Sequence, residues 1–150
     1  MAASSLAQLL NGQLASLSSP LSDGDFRALA LIVGSSMLLD ALDLIDKDEV
    51  ARISPPNGRL IYRVAGSSQS YTVHPELVGG YCPCPAFLCG VVATEHQAIE
   101  SNTTQCKHLL ACRIADRLDA WKDQDVGLKW VAGLATKFGA APPPPPAQAG

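Results

Sequence analysis

Three thiols and one imidazole stand at spacings that suit a metal ion. Cys82-Pro83-Cys84-Pro85 is followed by Cys106-Lys107-His108, with 21 residues between Cys84 and Cys106. In extended backbone, positions i and i+2 point the same way, so Cys82 and Cys84 can face one ion. Pro83 and Pro85 keep that stretch out of helix and remove amide donors, which suits an irregular knuckle. Cys106 and His108 cannot converge from mid-helix, where i and i+2 diverge by about 200°. They converge if Cys106 lies in the turn before a helix and His108 in its first turn. The apolar positions beginning at Leu110 place a helix start there. The partial positive charge of that helix end favours thiolate over thiol at Cys106. Soft sulfur with one imidazole fits one structural, tetrahedral Zn²⁺, with iron and copper as alternatives. Three thiolates, one neutral imidazole and Zn²⁺ sum to about one negative charge, which Lys107 can offset.

The competing readings are a disulfide framework and a set of inert buried thiols. All five cysteines fall within 31 consecutive residues, and their number is odd. No basic segment precedes an apolar stretch at the N-terminus, so a reducing compartment and a metal are favoured over disulfides. An organelle transit peptide in the uncharged, Ala/Ser/Leu-rich residues 1–20 is the minority alternative. The two spare cysteines read as core residues: Cys112 beside the Leu110 stripe, and Cys89 in an apolar stretch from which it could also substitute as a ligand. His96 reads as exposed in an insert, and His74 as a surface loop residue.

The elements that must position these groups can be read around them. The chain has 150 residues, 47% apolar and 17% charged, with a net charge of -3. That supports one compact domain with a real core. No aliphatic run approaches the roughly 20 residues of a membrane span. Leu6, Leu9, Leu10, Leu14 and Leu17 predict an amphipathic helix over residues 4–17. A second helix runs from about Asp25 to Val33, capped by Ser22 or Asp23. Gly34-Ser35-Ser36 then stops it and caps a third, with Leu38, Leu39, Leu42 and Ile45 on one face and Asp40, Asp43 and Asp46 off it.

Val50–Ile53, Leu60–Val64 and Tyr71–Val73 predict a three-stranded antiparallel meander, with Leu60, Tyr62 and Val64 sharing a face. Leu110, Ile114, Leu118 and Trp121 mark a strong helix, and a weaker one spans Val126 to Phe138. Pro142 to Pro146 make the tail extended or disordered. The expected class is α+β: N-terminal helices, a small meander, a zinc knuckle and a C-terminal helix. Residues 1–20 form a helical extension, 21–138 one domain with the zinc module at 80–121, and 139–150 a disordered tail.

Cys82-Pro83-Cys84-Pro85-Ala86-Phe87 with Cys106-Lys107-His108-Leu109-Leu110-Ala111 resembles a SWIM-type zinc finger, a Cys-x-Cys, a variable gap, then Cys-x-His. Gly34-Ser35-Ser36, Ala41 to Asp46, Ile53-Ser54 with Asn57-Gly58-Arg59, and Val64 to Tyr71 are similar to the small SWIM-domain subunits of the Shu complex. The resemblance covers about residues 30–115. The gap is longer than the family pattern, with Glu95 to Thr104 as the insertion. The resemblance implies zinc ligation by Cys82, Cys84, Cys106 and His108. It further implies a nuclear accessory factor in homologous recombination that forms a heterodimer with a RecA-like recombinase paralog and reaches single-stranded DNA through that complex. No catalytic residue, membrane contact or small-molecule substrate is implied.

Two other functional classes compete. Residues 106–137 hold six Lys/Arg against four Asp, a slight basic bias that could serve single-stranded DNA directly, with Trp121 and Trp130 as stacking candidates. An enzyme is disfavoured: the chain has no phosphate-cradling glycine loop, and four protein ligands leave a zinc no open position.

Overall fold

The structure is a computed structural model and describes residues 2–54, 60–66, 68–76, 80–88 and 106–136. Its named helices are α1 (Ala2–Ala15), α2 (Asp23–Val33), α3 (Ser35–Asp46), α4 (Lys107–Leu118) and α5 (Leu128–Thr136). Its strands are β1 (Val50–Ile53), β2 (Ile61–Ala65), β3 (Ser70–Val73) and β4 (Lys122–Gln124). The class is α+β. No helix among the described residues is long and apolar enough to cross a membrane.

Local chemistry explains most element boundaries. Ser22 caps α2 through a capping box: the Asp25 amide donates to Ser22 Oγ at 3.1 Å, and the Ser22 amide donates to Asp25 Oδ2 at 3.3 Å. Gly34 joins α2 to α3 without a loop. Its φ of 90° is a conformation that side-chain-bearing residues resist. There its amide closes α2 on Ala30 at 2.9 Å, while its carbonyl opens α3 by accepting from Leu38 at 3.2 Å. The third helix therefore begins at Ser35, and no serine caps it. Leu38, Ala41 and Leu44 are its buried residues, with Leu42 and Ile45 partly buried against the core as expected, but Leu39 is turned 55% exposed to solvent.

The three expected strands pair antiparallel as a meander, but β4 adds itself parallel to β1, giving the order β3-β2-β1-β4. The Lys122-Asp123-Gln124 triplet carries no β-branched or apolar residue, so its sequence gives no strand signal. Tertiary partners hold it: Arg52 pairs with Asp123 at 3.2 Å and lies over the Trp121 ring, 4.1 Å from the centroid. Trp121 was expected on the C-terminal helix stripe. That helix instead ends at Leu118, with Asp119 in the left-handed conformation, and Trp121 leads into β4. His74 is likewise not a loop residue: it forms a two-way backbone bridge with Tyr81, at 2.9 and 3.0 Å.

Most of the core gathers around α4. Seven of its residues are buried, and it packs against α3, α1 and the sheet. Tyr62, Val64 and Val73 face it from the sheet, and Leu10, Leu14, Leu29 and Leu38 join from the N-terminal helices. Leu60 lies just outside β2 and is half-buried. Tyr62 donates to Asp116 Oδ1 at 2.7 Å, tying sheet to helix. On the opposite sheet face Ile53, Ile61, Val126 and Trp130 form a second, small cluster. Trp130 thereby brings the last helix, Leu128–Thr136, against this face; the helix starts after the expected Val126, and Phe138 and the tail lie outside the described residues.

The first helix is built into this core. Leu10, Leu14 and Leu17 are buried in the main cluster, whereas Leu9, expected on the same stripe, is 59% exposed. Arg117 of α4 donates to the carbonyls of Leu14, at 3.1 Å, and Ala15, satisfying the end of α1. Gln13 donates to Asp25 at 3.1 Å. Replacing Leu10 by Ala is therefore expected to lower the unfolding free energy by about 2–4 kcal/mol in a single transition. Chemical denaturation checks this; a separable early loss of helix with the main transition unmoved would contradict it.

Candidate metal centre

The strand side of the centre starts from the His74–Tyr81 bridge, from which the chain runs on without regular structure through Cys82 and Pro83 to Cys84. A single helical turn follows over 85–88. Cys84 opens it: its carbonyl accepts from the Leu88 amide at 3.1 Å and its Sγ from the Phe87 amide at 3.4 Å. The helix side repeats that arrangement. Cys106 is the extended N-cap of α4 (φ -125°, ψ 165°), and its Sγ accepts from the Leu109 amide at 3.4 Å. His108 falls in the first turn, which removes the angular conflict that a mid-helix pair would face.

The four expected side chains converge. The sulfurs of Cys82, Cys84 and Cys106 and a ring nitrogen of His108 all lie within 4.8 Å of one another, and all four residues are buried. In a tetrahedral zinc site the ligand atoms stand roughly 3.5–3.8 Å apart, so only a small contraction separates this arrangement from a filled one. Both His108 ring nitrogens are buried without a hydrogen-bond partner. Buried polar atoms are ordinarily satisfied, and a metal ion would satisfy one of these two. Tyr71 packs its ring against His108, with centroids 4.8 Å apart, a neighbour that strand periodicity could not have announced.

The charges tell the same story. A hydrogen bond from the Cys82 thiol, helped by the Leu109 amide and opposed by burial, pulls the Cys106 thiol down to about 4. Cys82 is pushed the other way, first by that bond to Cys106 and then by burial. Burial likewise pushes Cys84 up. Without a cation the cluster therefore supports one thiolate, whereas a divalent ion allows all three. This donor set, buried and paired to backbone amides, forms a single site able to hold one structural zinc.

Of the other thiols and imidazoles, Cys112 is free and wholly buried on α4, where burial raises its thiol. Cys89, His96 and the Glu95–Thr104 insertion lie outside the described residues.

Zinc uptake near pH 7 should release two protons from the cysteines, one each from Cys82 and Cys84, because Cys106 is already ionised. Apparent affinity should accordingly rise about a hundredfold per pH unit until those thiols ionise in the free chain. Calorimetry in buffers of different ionisation enthalpy measures the proton count; three protons would contradict the resident Cys106 thiolate.

No family model matches the chain, and no solved structure matches it. Curated relatives do. The chain is 40% identical over 92 residues to zinc finger SWIM domain-containing protein 7 of Mus musculus, covering 61% of this chain and 55% of that protein. It is 41% identical over 85 residues to the protein of the same name in Homo sapiens, covering 56% and 54%. The Danio rerio protein of that name is 34% identical over 100 residues, covering 66% and 65%. The chain thus spans about half to two thirds of the length of these relatives. With its Cys-x-Cys and Cys-x-His half-sites brought together in one buried cluster, the chain is similar to proteins named for a SWIM-type zinc finger.

Proposed function

We propose that this chain is a non-enzymatic accessory subunit whose single zinc, held by Cys82, Cys84, Cys106 and His108, shapes a surface for a RecA-like recombinase paralog. The heterodimer would promote homologous recombination in the nucleus and meet single-stranded DNA through the complex. The observation that carries this reading is the buried convergence of four protein ligands in a chain similar to proteins named for a SWIM zinc finger. A buried, four-ligand zinc has no open position for a substrate or an activated water, which favours a structural over a catalytic role. Exposed apolar side chains are consistent with a partner-bound life. Leu31 is 88% and Leu128 68% exposed, and Leu39 and Leu88 are also largely in solvent.

Direct binding of single-stranded DNA by the chain alone is the weaker reading. Base stacking needs accessible aromatic faces. Trp121 carries Arg52 over its ring, and Trp130 packs against the Ile53–Ile61–Val126 cluster.

Purification of the tagged chain from its native cells should yield a heterodimer whose second subunit carries a RecA-type ATP-binding loop. Cys106→Ala should lose zinc, the cooperative melting of the α4 region and the partner together, because structural zinc contributes apparent binding energy of about 10–16 kcal/mol. A variant that keeps one zinc and a normal melt would overturn the ligand assignment. A soluble, monodisperse chain with no RecA-fold partner, binding oligonucleotide in a salt-dependent way, would favour the DNA reading.

A further inference from the structure

A cleft of about 300 Å³ lies away from the metal centre, where α1, the start of the bridge after β3, and the C-terminal half of α4 meet. Asn11, Leu14 and Ala15 form its α1 wall, Tyr62 and Pro75 its sheet wall, and α4 supplies Arg113, Asp116 and Arg117. The volume is that of a small ligand site or of a pocket for one side chain.

Three of its four polar α4 and sheet groups are already engaged. Tyr62 donates its hydroxyl hydrogen to Asp116, and Arg117 is bonded to the α1 carbonyls of Leu14 and Ala15. Arg113 differs. It is half-buried, yet among the described residues it has no acceptor and no carboxylate within 4.0 Å. Burial also lowers its pKa from the usual arginine value. Its guanidinium lies close to the Gly80 backbone: a Cβ on Gly80, whose φ is 75°, would stand 3.0 Å from it and 2.8 Å from Leu109 Cδ2. A half-buried cation with spare donors, close to backbone at the side of an apolar-walled cleft, has among the described residues no partner that would offset its desolvation.

We propose that this cleft is a carboxylate-binding site in which the Arg113 fork takes both oxygens of a ligand carboxylate, with the ligand's short apolar body lying between Leu14, Ala15 and Pro75. A planar, singly charged carboxylate matches a guanidinium fork. The charge balance selects it over phosphate. The lining holds two arginines against Glu76 and Asp116, so its formal sum is zero, and a phosphate dianion would meet two resident carboxylates. The same carboxylate chemistry is presented by a small free acid and by the C-terminus of a peptide. Because α1 forms one wall, occupancy would also hold α1 in place.

The test uses the full-length, zinc-loaded chain. Sodium 3-methylbutanoate and the free acid of acetyl-Ala-Leu are titrated against it, with their amides and sodium phosphate as controls. The Arg113 side-chain Nε–H signal is followed by NMR. Saturable shifts with an acid but not its amide are expected. Arg113→Gln should weaken them at least about tenfold, the loss of a charge-assisted bidentate contact. The small acid alone saturating would assign a free carboxylate ligand; the peptide acid saturating more tightly would assign a chain end. Ala15→Phe, which fills the cleft and leaves Arg113 untouched, should weaken both acids and decides the matter if Arg113→Gln fails to fold. The proposal is overturned if neither acid saturates, if the folded Arg113→Gln or Ala15→Phe chain binds as well as the parent, or if phosphate binds as tightly as the acids.

Discussion

Three thiolates and an imidazole cannot share a buried point without a cation to offset their charge. The cluster of Cys82, Cys84, Cys106 and His108 lies in the core, and burial and mutual hydrogen bonding leave it one easily formed thiolate. A divalent ion changes that balance and becomes a cross-link between the chain after the β3 bridge and the start of α4. An apparent energy of about 10–16 kcal/mol for such an ion compares with about 5–15 kcal/mol for the whole stability of a typical domain. Such a centre acts as a folding element first.

What the cross-link secures is α4, on which the rest of the molecule is arranged. The helix is buried on most of its circumference, unlike a surface helix with one apolar stripe. It takes α3 and α1 on its flanks and the face of the sheet that carries Tyr62, Val64 and Val73. Its N-terminus belongs to the metal centre through Cys106 and His108. Its C-terminal half belongs to the α1 junction through Arg117 and to the sheet through Asp116. One helix thus carries residues of the metal site at its start and of the cleft in its C-terminal half.

The metal group was legible because its demands are local. A Cys-x-Cys in extended, proline-held backbone and a Cys-x-His across a helix start each have a geometry that spacing alone restricts. Elsewhere legibility followed how far each signal depends on neighbours. The Ser22 cap and the Gly34 stop act within a few residues, and α2 ends at Val33 as expected but begins at Asp23, ahead of the expected Asp25. The face of α3 was misjudged at Leu39, because a leucine-rich helix offers more than one plausible stripe and only the neighbours choose. Trp121 shows the same limit, since helical spacing continued past the residue, Asp119, at which the backbone turned left-handed.

Residue types and their spacing along the chain determined the ligand set, the mixed helix-and-strand class and most helix starts, because caps, turns and donor atoms act over a few residues. Tertiary structure alone decided that Lys122–Gln124 would become a parallel strand, since Arg52 and the edge of β1, not the polar triplet's own sequence, hold it extended. It also decided that the first helix would enter the core and that Arg113 would be half-buried with no counter-charge among the described residues. Burial and pairing are relations between distant segments, and no local pattern encodes which partner will be absent.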